Sequence, residues 1–173
     1  MTITFMGMPA SGKSCMGRAL SKVLHKKFLD GDWLIEKVEG EKLQDIINSR
    51  GLEEFKNVER RTLLSIKGNN LIISPGGSAV YYPEVMEYFK SLGPVVYLYC
   101  TPEVIIERLG DFSKRGVVLR PGQTIEDLYE ERHALYSKYA DIVVDCSGRD
   151  YRRYQERVIA AIRQYEKYRL RKR

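Results

Sequence analysis

Little in this 173-residue chain calls for a covalent staple or a membrane. The three cysteines, Cys15, Cys100 and Cys146, are an odd number at spacings that suit neither a zinc site nor a disulfide framework. A reducing, cytoplasmic setting and simple packing of all three thiols are therefore expected. His25 and His133, the only two histidines, carry no partner pattern and are assigned no chemistry. No apolar run is long enough to cross a bilayer, and a strand expected at Ile3–Met6 leaves no room for a charged and apolar leader. Pro-rich linkers, low-complexity tracts and internal repeats are absent. What remains, with 43% apolar residues, suits one compact domain over residues 1–173 with a sizeable core. The net charge of +6 is local: five cations fall within 167–173, leaving the first 166 residues at +1. That tail is expected to be a solvated, frayed helix end, with a nucleic-acid or membrane-surface contact as the alternative.

Against this plain background stands Gly7-Met8-Pro9-Ala10-Ser11-Gly12-Lys13-Ser14, which matches G-x-x-x-x-G-K-[ST] in full, directly after an apolar strand and before a helical run. In such a loop, backbone N–H groups cradle a β-phosphate, the lysine reaches the β/γ oxygens and the hydroxyl can ligate Mg²⁺. The following helix adds its positive end. The candidates for holding ATP and Mg²⁺ are Gly7, Ala10, Ser11, Gly12, Lys13 and Ser14, with Cys15 beside them.

Apolar clusters alternate with amphipathic segments along the chain, the pattern of helices covering both faces of a parallel sheet. The expected strands are Ile3–Met6, Lys27–Asp30, Leu71–Ser74, Val95–Tyr99 and Ile142–Val144. The expected helices are Lys13–His25, Trp33–Val38, Lys42–Arg50, Leu52–Lys67, Pro83–Ser91, Pro102–Leu109, Ile125–Tyr139 and Tyr151–Tyr168. Residues 110–123 hold three cations and three glycines without helical period, and read as a mobile flap or lid.

Further candidates follow from position. Asp30 and Asp32 close the second strand, and while the chain stays extended their two-residue spacing puts both carboxylates on one side. One would hold magnesium through water and the other would orient or deprotonate an attacking hydroxyl; a helix N-cap is the other use for Asp32. Ser74-Pro75-Gly76-Gly77-Ser78 lets an anion approach the backbone, as a plain turn also would. Arg132 completes the apolar stripe Ile125, Leu128, Leu135, Tyr139 of a helix capped by Thr124, so its charge needs an anion, either a nearby carboxylate or a substrate. Lys56, Glu59 and Arg60 are expected to cluster on one helix face. Arg120, in competition with Lys114 and Arg115, is placed to bring a cation to a transferring phosphoryl group.

With these residues together, residues 1 to about 165 resemble the shikimate kinases, in the nucleoside-monophosphate-kinase-like group of P-loop proteins. The landmarks are the phosphate loop, Asp30-Gly31-Asp32 with Ile35-Glu36, Glu54-Phe55 with Glu59, Gly76-Gly77 with Ala79-Val80, Arg120-Pro121, and Arg132 before Leu135-Tyr136. The resemblance implies a three-layer α/β/α fold with a five-stranded parallel sheet, a small substrate-binding helical region and a lid. It also implies a kinase of aromatic amino acid biosynthesis that moves the γ-phosphoryl group of MgATP to shikimate. Lys13, Asp32 and Arg120 would be catalytic, and Ser14 and Asp30 would serve the metal. Asp32, Lys56, Gly76, Gly77 and Arg132 would meet the acid, and Arg108 would lie near the adenine. A monomer acting on a small hydroxylated acid, with neither membrane nor nucleic acid as partner, is the corresponding expectation. Three positions depart from the family pattern: Lys56 stands for an arginine, Ser78 for a third glycine, and Gly122-Gln123 for leucines after Arg-Pro. A kinase for another acid or polyol, of the gluconate or homoserine type, is the nearest alternative. A non-catalytic nucleotide- or nucleic-acid-binding module is the alternative from another class.

Overall fold

The computed structural model describes residues 1–110, 117 and 119–171. Five parallel strands, β1 (Ile3–Met6), β2 (Lys27–Asp30), β3 (Leu71–Ser74), β4 (Val95–Tyr99) and β5 (Ile142–Asp145), form one sheet in the order β2-β3-β1-β4-β5. All four residues of β1 are buried. Because successive side chains of a strand point to opposite faces, both faces of the sheet are covered, as the apolar runs imply. Helices flank the sheet on both faces, the α/β arrangement expected from the alternation of apolar clusters and amphipathic segments.

The helices are α1 (Lys13–Val23), α2 (Gly31–Glu39), α3 (Leu43–Arg50), α4 (Leu52–Leu64), α5 (Pro83–Leu92), α6 (Pro102–Leu109), α7 (Ile125–Tyr139) and α8 (Tyr151–Arg171). The main core gathers around Phe5, Met16, Leu20, Phe89, Leu98 and Ile162. A second, smaller cluster of Ile35, Ile46 and Val58, with Leu43 and Phe55 against it, ties α2, α3 and α4 into a helical unit beside the sheet. Each of its three buried side chains contributes about 1.5–3 kcal/mol through loss of apolar surface.

Several boundaries differ from the sequence expectation, for local reasons. The second helix begins at Gly31, because the Asp30 side chain accepts from the N–H groups of Asp32 and Trp33 and caps it. Asp30, and not Asp32, is therefore the cap, and the chain is no longer extended between them. Residues Gly77–Tyr81 form a 3₁₀ turn that the sequence did not announce. α8 reaches Arg171, so the basic tail is helical as far as that residue instead of frayed beyond Tyr168. Cys100 and Cys146 are buried as expected, whereas Cys15 is exposed. Lys114 and Arg115, with most of the expected flap, lie outside the described residues.

The topology fixes where a ligand can sit. β1 lies between β3 and β4, the point at which successive connections leave in opposite directions, so a crevice opens beyond its carboxyl end. Asp30 and Ser74 are register partners at the ends of β2 and β3, next to that crevice.

Candidate active site

Beyond β1 the chain enters the phosphate loop, where Ala10 and Gly12 take φ values of 64° and 92°. Left-handed residues at this spacing turn backbone N–H groups into a concavity suited to an anion. The buried Ser11 hydroxyl has no hydrogen-bond partner among the described residues. An orphaned donor in a backbone concavity fits a phosphate oxygen. Lys13 folds back over the loop and donates from Nζ to the carbonyls of Gly7 and Met8 at 2.9 and 3.0 Å. Burial lowers its pKa to about 8; Asp32 and Asp30 oppose the fall and Arg132 adds to it.

The Ser14 hydroxyl donates to Asp30 Oδ2 at 2.8 Å, so a hydroxyl and a carboxylate share one spot beside the loop. Arg18 approaches the same oxygen at 3.9 Å. Two hard oxygens suit Mg²⁺, which keeps most of its ligands as water and phosphate oxygen. No denser cluster of metal-binding side chains exists among the described residues.

Loop, carboxylates and cations line one cleft of about 1030 Å³ that includes Lys13, Asp32, Glu59, Gly77, Arg120 and Arg132. Burial, and then Asp30, push the Asp32 carboxyl above its usual range, while Lys13 pulls it back. A Cβ placed on Gly76 would meet Asp32 Oδ1 at 3.0 Å and Glu59 Oε1 at 3.0 Å. One on Gly77 would meet Arg132 Nη1 at 2.8 Å. The two glycines are thus a thin wall with carboxylates on one side and a guanidinium on the other, and any side chain there would block the approach. Arg132 is only 7% exposed. Its Nε donates to the Tyr81 hydroxyl at 3.4 Å and its guanidinium carbon lies 5.4 Å from the centre of the Tyr81 ring. Among the described residues no carboxylate pairs with it. A buried, permanently protonated group resting on tyrosine, with Glu59 acting on it only through space, is a strong site for an incoming anion.

A shikimate kinase profile matches residues 9–163. The chain belongs to the shikimate kinase family. A shikimate kinase from Bacillus anthracis is 35% identical, the match covering 86% of this chain and 90% of that protein. Among solved structures, the shikimate kinase of Aquifex aeolicus superposes with a TM-score of 0.83 at 32% identity, over 94% of this chain and 96% of that one. The shikimate kinase of Acinetobacter baumannii, solved in complex with shikimate, gives a TM-score of 0.80 at 29% identity over 91% and 90%.

Within this shikimate kinase fold, the expected polar cluster of Lys56, Glu59 and Arg60 comes apart. Lys56 pairs with Glu53 at 2.6 Å on the exposed face of α4, at the rim of the cleft, and Arg60 pairs with Glu84 at 3.2 Å. Glu59 turns inward, 1% exposed. Arg120 also lines the cleft but is exposed, with its guanidinium held by Glu131. Arg108 donates to Cys100 Sγ and to the carbonyls of Cys146 and Gly148, bridging α6 to the segments after β4 and β5. On α7 the Thr124–Asp127 capping box forms as the sequence implies. The buried stripe, however, runs through Tyr129 and Tyr136, with Leu135 only half-buried. Tyr136 donates to the Gly77 carbonyl at 2.8 Å. Tyr81, Tyr82 and Tyr136 also belong to the site, which the sequence does not reveal because tyrosines look the same in a core as around a guanidinium.

Proposed function

We propose that this protein transfers the γ-phosphoryl group of ATP to a hydroxyl of shikimate, giving shikimate 3-phosphate. Family membership supports the reaction, and the observation that carries the acceptor is Arg132: a buried cation that forms no ion pair with a carboxylate among the described residues and faces Gly77, next to the Gly76 that faces Asp32. An acceptor with a carboxylate at one end and a hydroxyl at the other would span that distance.

The residues would divide the work. Asp32, its basicity raised by desolvation within the cleft and by Asp30, accepts a hydrogen bond from the acceptor hydroxyl and takes its proton as the oxygen attacks phosphorus. The bond from the γ-phosphorus to the bridging oxygen breaks, and the pair of electrons leaves with ADP. Lys13 offsets charge on the β/γ oxygens, and Arg120, released from Glu131, adds a second cation as the cleft closes. Ser14 and Asp30 would hold Mg²⁺, which supplies further charge neutralisation to the phosphates when bound. Arg132 and the Gly76–Gly77 wall hold the acceptor carboxylate, and the loop with Cys15 holds the nucleotide, while Arg108 braces the segments after β4 and β5. A monomer working in the cytoplasm fits this reading; among the described residues no helix is long and apolar enough to cross a membrane.

The test is ADP release screened across shikimate, gluconate, homoserine and nucleoside monophosphates, with Lys13→Ala as control. Shikimate should be the best acceptor, and Lys13→Ala should lose about 10²-fold or more of the rate while remaining folded. Equal or better turnover of another acceptor would replace the proposed substrate. Undiminished turnover by Lys13→Ala would refute the mechanism.

A further inference from the structure

Glu59 is the one buried carboxylate among the described residues; none of their cations forms a close ion pair with it, and Arg132 attracts it only through space. The cations nearest in sequence, Lys56 and Arg60, are committed to Glu53 and Glu84. Its oxygens instead accept from hydroxyls: Ser78 Oγ lies 2.7 Å from Oε1 and 2.9 Å from Oε2, and the Tyr82 hydroxyl lies 2.8 Å from Oε2. Burial pushes its carboxyl up, and the two hydroxyl bonds pull it back. Removing one of them leaves a buried acceptor short of donors, an imbalance that buried polar groups do not tolerate cheaply.

Both donors belong to one short segment. Ser78 lies inside the 3₁₀ turn Gly77–Tyr81, and Tyr82 follows it. The same turn presents Gly77 to Arg132 and carries Tyr81, on whose ring the Arg132 guanidinium rests. On its far side the turn is held by the Tyr136 hydroxyl on the Gly77 carbonyl. The wall that faces the acceptor is therefore clamped from α7 by a tyrosine and from α4 by a carboxylate.

We propose that Ser78 is a positioning residue for the acceptor: its hydroxyl ties Glu59 of α4 to the 3₁₀ turn, and thereby sets where the Gly76–Gly77 wall and the Tyr81–Arg132 pair stand relative to Asp32. Ser78 touches no reacting atom. The tie acts mainly on acceptor affinity, because none of its hydrogen bonds reaches the phosphate loop, which the turn meets only where Gly77 packs near Pro9. This inference rests on the acceptor reading given above.

The experiment measures shikimate binding by calorimetry in the presence of MgADP, and steady-state rates, for the wild type, Ser78→Ala, Ser78→Thr and Tyr82→Phe. Ser78→Ala should weaken shikimate binding and raise its KM about tenfold, with the ATP KM and kcat at saturation changed less than about threefold, the loss of one hydrogen bond to a charged group. Ser78→Thr, which keeps the hydroxyl, should recover most of the affinity. Tyr82→Phe should show the same pattern at smaller size, and it carries the test if Ser78→Ala does not fold. Wild-type affinity in Ser78→Ala, no recovery in Ser78→Thr, or a parallel loss of ATP and shikimate affinity would overturn the tie. A wild type that binds MgADP but no shikimate would refute the proposed acceptor, and with it this role for Ser78.

Discussion

Nucleotide affinity should fall as pH rises through about 8, because that is where burial places the Lys13 ammonium in the ligand-free loop. The depression from 10.5 corresponds to at most about 3 kcal/mol at 1.36 kcal/mol per unit, less where water reaches the half-buried side chain. The sign is that of a group whose charge is disfavoured on folding. Between pH 8 and 10.5 the unfolded chain holds a proton that the folded one has lost, so this lysine adds to stability as pH rises through that window. Phosphate oxygens reverse the balance by giving the ammonium a counter-charge, so above pH 8 binding must take up a proton. One linked proton weakens affinity about tenfold per pH unit, so Kd for MgADP should be about tenfold higher at pH 9 than at pH 7. A phosphate's own last proton is gone by then. The assay is calorimetric titration at pH 7, 8 and 9 in two buffers of different ionisation enthalpy, in a Cys15→Ser background that removes the exposed thiol beside the loop. Proton uptake should approach one at pH 9. In Lys13→Arg the guanidinium stays charged throughout, so its curve should be flat whatever its absolute affinity. A pH-independent Kd with no proton uptake in the parent protein would refute the reasoning.

Other outcomes follow from the same geometry. Asp32→Asn should lower turnover by about 10²-fold or more with Tm little changed, since Asp32 is exposed in the cleft and Asp30 is the cap; Asp30→Ala should cost about 0.5–2 kcal/mol of stability in denaturant melts through the lost cap. Arg132→Lys should raise the shikimate KM about tenfold or more, because the flat fork that suits a carboxylate is gone. Lys56→Ala should raise it less than about threefold, given that Lys56 is exposed and paired with Glu53; the opposite ordering in initial-rate assays would move the carboxylate site to α4. Arg108→Ala should lower stability by about 1–3 kcal/mol through its lost bridges while the ATP KM changes little, and a large KM effect at unchanged Tm would instead favour direct contact with the nucleotide.

The sheet was legible in the sequence because its inner strands β1, β3 and β4 are short apolar runs buried on both faces, and the phosphate loop because its motif fixes backbone and side chain together. The polar geometry between helices was not. Whether Asp30 or Asp32 caps a helix depends on where the chain stops being extended, and Gly31 permits either. Lys56, Glu59 and Arg60 share a helical face by spacing alone, yet tertiary packing turns Glu59 inward toward Ser78 and Tyr82 and leaves the cations outside. Arg132 was the exception: a guanidinium on an apolar stripe is conspicuous in one dimension, although the tyrosines that surround it are not.

The two ends of the cleft hang from strands of unequal tenure. β1, which leads into the phosphate loop, is gripped on both sides, whereas β2, which ends at Asp30 and leads into Asp32 at the start of α2, is a margin strand with β3 as its sole neighbour in the sheet. Fraying at that margin would displace Asp32 from the acceptor while the backbone cradle of the phosphate loop stays assembled, so a nucleotide can outlast brief openings that let the acceptor go. Amide exchange at Lys27–Leu29 should then keep time with acceptor release and not with nucleotide release.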